Sequence, residues 1–273
     1  MLDQQTLEKL RRMRLGTMAN ALEVQQSDPQ CQELSFEERL GLLVDREWTA
    51  RRDRRLSRLL KEARLRLPAA APEDIDYRAS RGLEKPLLRS LFGGEWLRDG
   101  RSVLLTGPTG VGKTFIACAL GNAACRQGFR TRYYRVPRLL GDLELARADG
   151  SHASFLGRLA GIDLLILDDW GLAPLTAPEA RDLLEVVDDR CLARSTLVSS
   201  QLPVENWHST MADPTVADAI LDRLVHNAYK LALTGESMRK VIPTPAANEE
   251  QDLKTGWRFA PKGQAHGPED WTA

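Results

Sequence analysis

The stretch SVLLTGPTGVGKT, Ser102–Thr114, decides the fold. A run of strand-forming residues leads into Gly107, Pro108, Thr109, Gly110, Val111, Gly112, Lys113 and Thr114, which match G-x-x-x-x-G-K-[ST]. The pattern falls where a strand would end at Thr106 and a helix would begin near Lys113. Glycines at these positions let the backbone curl so that successive N–H groups point inward around phosphate oxygens. The helix N-terminus adds its dipole. In such a loop Lys113 supplies a point charge to the β- and γ-phosphates, and Thr114 supplies a hydroxyl to Mg2+.

About fifty residues downstream, DLLILDDWG runs from Asp163 to Gly171. Leu164 to Leu167 read as a strand buried on both faces. Asp168 and Asp169 follow at its carboxyl end, where open α/β sheets bind ligands. Adjacent strand residues point to opposite sides, so the two carboxylates can take different tasks. Asp168 is the candidate Mg2+ ligand beside Thr114, and Asp169 the candidate for orienting or deprotonating an attacking water.

Working outward, apolar strands alternate with amphipathic helices, the signature of a parallel α/β sheet. Strands are predicted at 102–106, 131–135, 163–168, 195–199 and 230–234, with helices at about 113–127, 137–148, 177–193 and 215–228. Thr176 and Glu179 form a capping box for the third of these helices, whose buried face would be Ala180, Leu183, Leu184, Val187 and Cys191. Residues 67–80 hold two prolines and no helical stripe and read as a linker. From 244 to 273 the chain is polar and aperiodic and reads as a flexible tail.

The first 66 residues read as a small all-helical module. A first helix carries Leu7, Leu10, Leu15, Met18 and Leu22, and a long second helix opens at a Ser35–Glu38 capping box. In that long helix Leu40, Leu43, Val44, Trp48, Leu56, Leu59, Leu60 and Ala63 predict one packed face. The opposite face is basic: from Arg46 to Arg66 nine basic residues meet three acids, a local excess of +6. Arginines on one side of a helix can neutralise a nucleic-acid backbone without reading its sequence. Arg51, Arg52, Arg54, Arg55, Arg58 and Lys61 are the candidate DNA contacts, with Arg130 and Arg132 in a second cluster around the second strand. An ordinary solvated face with internal pairs such as Arg58–Glu62 is the alternative.

Over the whole chain, 38 Lys and Arg balance 38 Asp and Glu across 273 residues, which excludes a protein that coats nucleic acid by bulk charge. Hydrophobic residues make up 42%, ordinary globular usage, so the chain is not expected to be disordered. No apolar run approaches the roughly 18 residues of a membrane span, and no signal-peptide core is evident; a cytoplasmic protein is expected. The four cysteines and four histidines are scattered without metal-ligand spacing.

The P-loop, the Asp168–Asp169 strand, TLVSSQLP at 196–203 and DAILDRLVHNAYKLALTGESMRK at 218–240 together resemble the IstB-type transposition helper ATPases of the AAA+ class, relatives of DnaC-type helicase loaders. The resemblance implies a sheet of order 5-1-4-3-2 within an AAA+ domain at 81–243. It implies ATP and Mg2+ as cofactors, self-association driven by ATP on double-stranded DNA, and work beside a transposase. Gln201 falls where the family places a polar sensor of the γ-phosphate. Arg223 falls where the family places an arginine finger that completes a neighbour's site. AAA+ proteins usually carry Asp-Glu where this chain has Asp168-Asp169. The shorter second carboxylate predicts slow hydrolysis, stimulated by DNA or a partner.

A helicase loader is the runner-up reading, with the same engine and another client. A small-metabolite kinase would need an acceptor pocket and an arginine-rich lid, and no such insertion is evident. A non-hydrolysing binding module is disfavoured by the intact Lys113, Thr114 and Asp168.

Overall fold

The structure is a computed structural model and describes residues 2–77 and 81–238. The tail at 244–273 and the end of the 67–80 stretch lie outside the described residues. The chain begins with α1 (Leu2–Arg12), α2 (Gly16–Ser27), α3 (Pro29–Gln32) and α4 (Phe36–Ala63). Two helices therefore replace the single first helix expected from the leucine spacing. The break falls at Arg14, whose φ is 60°. α4 starts at the expected capping box: Ser35 Oγ accepts from the Glu38 amide, and the Glu38 carboxylate accepts from the Ser35 amide.

α5 (Lys85–Gly93) and α6 (Glu95–Arg98) precede β1 (Ser102–Thr106) and α7 (Lys113–Arg126). β2 (Thr131–Arg135), α8 (Val136–Ala148), α9 (His152–Ala160) and β3 (Leu164–Trp170) follow. α10 (Ala177–Asp188), β4 (Ser195–Ser200), α11 (Pro214–Val225) and β5 (Ala228–Ala232) come last among the described residues. The five strands form one sheet of order β2-β3-β4-β1-β5, all pairs parallel. This is the 5-1-4-3-2 order that the family resemblance implies.

Alternation along each strand divides the core into two layers. Val103, Leu105, Leu164, Ile166 and Leu197 face a layer with α7 and the end of α4. Leu104, Leu165, Leu167 and Val198 face α8, α10 and α11. Each fully buried leucine contributes about 1.5–3 kcal/mol, so the central strands are among the most stabilising segments. The second layer also holds Trp170 and Trp207, with ring centroids 5.3 Å apart.

Several boundaries differ from the sequence reading. α10 ends at Asp188 rather than near 193, because Arg190 turns inward and donates to the carbonyls of Leu159 and Ile162 and to Thr196 Oγ1. Its buried face therefore takes Val186 and Asp182, while Leu184 and Cys191 are only half-buried. β5 begins and ends two residues earlier than expected, with Leu231 buried inside it and Leu233 buried just past its end. β3 continues through both aspartates to Trp170.

The largest difference is in α4. Leu43, Leu59 and Ala63 are buried, but Leu40, Val44 and Trp48 are exposed, Trp48 at 69%. A helix of 28 residues is roughly 42 Å long. Only its C-terminal half packs on the sheet layer; along its first half α2 covers just the side with Leu43 and Glu47, and the rest of the expected apolar face stays open. Beyond α4, Leu65, Ala70 and Ile75 are buried, and Leu65 and Ala70 belong to the same core layer as β1 and α7.

Candidate nucleotide-binding site

β1 delivers the P-loop at the carboxyl edge of the sheet, next to β4 and β5. Gly107 has φ 141°, and a Cβ there would lie 2.2 Å from the Leu233 carbonyl oxygen. Only glycine allows that approach. Val111 is fully buried and pins the loop to the core. Lys113 opens α7 and folds back over the loop, donating to the carbonyls of Gly107 at 2.7 Å and Pro108 at 2.8 Å. Beneath the loop lies Arg81, buried and donating to the carbonyls of Val111 at 3.2 Å and of Asp76. Arg81 also fills the space beside Gly112, where an added Cβ would meet its Nη1 at 2.8 Å.

The acidic pair meets the loop from β3. Thr114 Oγ1 donates to Asp168 Oδ2 at 2.8 Å, and the Tyr133 hydroxyl donates to the same oxygen at 2.7 Å. Asp168 Oδ1 accepts from the Asp169 amide at 3.0 Å. Asp168 is 2% exposed, so its charge is held by these donors rather than by water. Burial first, and then the Asp168 carboxylate, push the Tyr133 hydroxyl far above the usual phenol range; it remains a donor.

A carboxylate and a hydroxyl converging at this point are hard oxygen donors. Mg2+ is typically held by one or two carboxylates together with waters and substrate phosphates. Asp168 and Thr114 fit that cation. Among the described residues no group of three or more His, Cys, Asp or Glu forms an all-protein metal cage.

Asp169 diverges from its neighbour. Its φ is 60°, in the left-handed region, and the β3–β4 register shifts between Leu167 and Trp170. A non-glycine residue held there carries strain of about 1–2 kcal/mol. The turn aims its carboxylate at the end of β2, where Arg135 Nε lies 2.5 Å from Oδ2. Arg66 Nη1 sits 3.7 Å from the same oxygen and 4.0 Å from Asp168 Oδ2. Contact with the Tyr133 hydroxyl, followed by the two carboxylates, raises the Arg66 guanidinium further above its ordinary value, against the opposing effect of burial.

Gln201 follows β4 directly and accepts from Thr109 Oγ1 at 2.8 Å, which brings it to the phosphate loop. Arg223 lies elsewhere. It sits on α11, donates to Asp188 and to the Ala219 carbonyl, and lines a small cavity with Gly100, Ser102, Arg190 and Asn227. Ser102 starts β1 and the P-loop follows its end, so Arg223 is at the opposite edge of the sheet from Lys113.

The candidate DNA residues do not form one uninterrupted stripe. Glu47, buried in α4, accepts from Arg51 at 2.7 Å, from Arg54 at 3.4 Å and from the Met18 amide at 2.9 Å. Arg51 first, with the Met18 amide and Arg54, holds the Glu47 carboxyl below its usual range against burial. Arg55 donates to the Gly128 carbonyl, and Arg58 lies 3.9 Å from Glu62. Arg132 donates to the Glu62 carbonyl and stacks over Tyr134, and Arg130 lies 3.7 Å from Asp163. Arg52 and Lys61 are exposed, with no ion pair among the described residues.

Tyr133 and Arg81 escaped the sequence reading. Tyr133 carried a usable signal: in TRYYR it shares a face with Thr131 and Arg135, pointing toward the layer under the P-loop. Arg81 carried none, since an isolated arginine before a glycine reads as loop.

A parallel sheet of order 5-1-4-3-2, a phosphate loop after β1 and an acidic pair ending β3 define a P-loop nucleotide-binding protein of the AAA+ class. The chain belongs to the IstB-like ATP binding protein family, whose model matches residues 8–244. It is 50% identical over 240 residues to a chain of Sinorhizobium fredii named as an insertion sequence ATP-binding protein, covering 88% of this chain and 98% of that one. It is 54% identical over 203 residues to the ATP-binding protein of insertion sequence IS1162 from Pseudomonas fluorescens, covering 74% and 88%. Among solved structures it resembles DnaI with a TM-score of 0.51 at 18% identity, over 62% of this chain and 90% of that one, a likeness of fold. Among the described residues no helix is long and apolar enough to cross a membrane.

Proposed function

We propose that this chain is a Mg2+-dependent ATPase that assembles on duplex DNA in the cytoplasm and assists or targets the transposase of an insertion sequence. The observation that carries the reading is the hydrogen-bonded meeting of Thr114 and Asp168 at the phosphate loop. Lys113 would leave the carbonyls of Gly107 and Pro108 to bridge β- and γ-phosphate oxygens. Thr114 and Asp168 would hold Mg2+, which supplies charge neutralisation between the phosphates. Asp169 would orient the attacking water once released from Arg135, and Gln201 would contact the γ-phosphate from the other side. Because an aspartate is short and this one is engaged by two arginines, turnover is expected to be slow until DNA or a partner rearranges the site.

The position of Arg223 favours action in trans. At the far edge of the sheet it is remote from its own Lys113, and an arginine finger offered to a neighbour accounts for its place. The reading as a transposase helper is preferred over a helicase loader because the relatives at 50–54% identity are named for insertion sequences. The likeness to DnaI concerns the fold alone.

Mixing tests the arrangement. Lys113→Ala and Arg223→Ala chains should each be inactive alone. Their mixture on duplex DNA should recover up to about a quarter of the unaltered turnover, from interfaces that combine an intact loop with an intact finger. No recovery, with both chains folded and assembling, would refute the trans finger.

A further inference from the structure

α4 ends in a left-handed residue, Arg64, with φ 49°. The next residue, Leu65, is buried against α7, where an added Cβ on Gly121 would lie 2.8 Å from Leu65 Cδ2. That anchor sets the direction in which the chain leaves the helix and delivers Arg66 to the carboxyl end of β3. Arg66 thus reaches both aspartates from the segment that terminates α4, whereas Arg135 reaches Asp169 from the sheet itself. The same α4 displays Arg52 and Lys61 to solvent.

The Arg66 side chain is 43% exposed, whereas Asp168 is almost fully buried, and its guanidinium end faces the two carboxylates and the Tyr133 hydroxyl. What it contributes is charge. A guanidinium between Asp168 and Asp169 and a divalent cation on Thr114 and Asp168 are like charges drawn to the same carboxylates. Each weakens the other. The weakening is reciprocal, because the two bindings are linked through one acidic pair.

We propose that Arg66 is a positioning residue through which the N-terminal helices restrain the acidic pair, opposing divalent-cation binding and holding Asp169 toward β2 until α4 moves. The proposal rests on the roles assigned above to Asp168 and Asp169. DNA bound along α4 would pull on the Arg64–Arg66 turn, withdraw the guanidinium and free both carboxylates together. Without DNA, the restraint keeps the site slow and Mg2+ weak.

The test uses the full chain with Arg66→Gln and, as the charge-retaining control, Arg66→Lys. The first measurement is the Mg2+ dependence of binding to a fluorescent, non-hydrolysable ATP analogue. Arg66→Gln should lower the half-saturating Mg2+ concentration about fivefold to tenfold, the effect of removing one charge near the cation. Arg66→Lys should stay within about twofold of the unaltered chain. In turnover assays Arg66→Gln should raise the basal rate and shrink the stimulation by random-sequence duplex. A half-saturating Mg2+ concentration that is unchanged or higher in Arg66→Gln, at an unaltered thermal midpoint, overturns the proposal.

A second measurement needs no substitution. Amide exchange over residues 64–67 should speed up when duplex DNA binds the unaltered chain, and constant exchange would overturn the coupling to α4. Asp169→Asn separates the two layers of reasoning. Should that variant turn over normally, Asp169 loses its role, while the Mg2+ measurement, which needs no hydrolysis, still judges Arg66 alone.

Discussion

Replacing Tyr133 with phenylalanine removes one oxygen from the interior and leaves the ring in place. That hydroxyl donates to Asp168 Oδ2 at 2.7 Å, in a site where Asp168 is 2% exposed. A buried hydrogen bond to a charged group contributes about 1.5–3 kcal/mol. Asp168 keeps Thr114 and the Asp169 amide as donors, so the lower half of that range, about 1.5–2 kcal/mol, is expected. For a body of this size each kcal/mol moves the midpoint by roughly 2–4 °C, so Tyr133→Phe should unfold about 3–8 °C earlier. The same change strips a competing donor from the carboxylate that would hold Mg2+, so cation-dependent nucleotide binding should tighten while stability falls. Thermal unfolding with and without Mg2+ and a non-hydrolysable nucleotide reads both effects. The deficit in midpoint should narrow when the ligands are present, because binding to the folded state stabilises it by mass action. An unchanged midpoint without ligand, or a deficit that widens with ligand, would refute the assignment of Tyr133 as a donor to a metal-binding aspartate.

Glu47→Gln should loosen α2 from α4, because the carboxylate receives the Met18 amide as well as Arg51 and Arg54. The folded chain holds this carboxyl below its unfolded value near 4.3, so its stabilisation is present above that value and is lost as pH falls through the lower folded pKa. Acid unfolding monitored by circular dichroism should therefore lose steepness below about pH 4.3 in the variant, and an identical profile would dismiss Glu47 as the contact. On the DNA side, Arg52→Ala with Lys61→Ala should weaken binding to random duplex and reduce the logarithmic salt slope by about two. Arg51→Ala should act mainly on stability, through Glu47. A salt slope unmoved by the Arg52 and Lys61 pair would direct the search for phosphate contacts away from α4.

The phosphate loop was legible because its chemistry is local: eight consecutive residues set the backbone curl, the lysine and the hydroxyl. The buried strand ending in Asp168 and Asp169 was legible for the same reason. The sheet order was not contained in periodicity; it entered through the family resemblance. Periodicity misled along α4, where Leu40, Val44 and Trp48 have helical spacing, yet the helix runs past the body that would cover them. α9 was missed although Phe155 and Leu159, four residues apart, are both buried on one face. The conformation of Asp169 left no trace in its residue type, since glycine is the usual mark of a left-handed turn. Arg66 could be counted as positive charge, but its approach to β3 depends on the turn after α4 and on Leu65 finding Gly121. These are contacts between distant parts of the chain.

The tilted pair of Trp170 and Trp207 gives this protein an intrinsic optical probe. Trp170 follows the strained Asp169 directly, is almost fully buried, and its indole Nε1 has no hydrogen-bond partner among the described residues. Its ring lies 5.3 Å from that of Trp207, at 38° between planes, close enough for the two chromophores to couple. Any rotation of the Asp169 backbone that redirects the carboxylate from Arg135 toward a phosphate must also move the adjoining indole. The near-ultraviolet dichroism of this pair is therefore tied mechanically to the acidic residues, and the chain signals the state of its own β3 end without an added label.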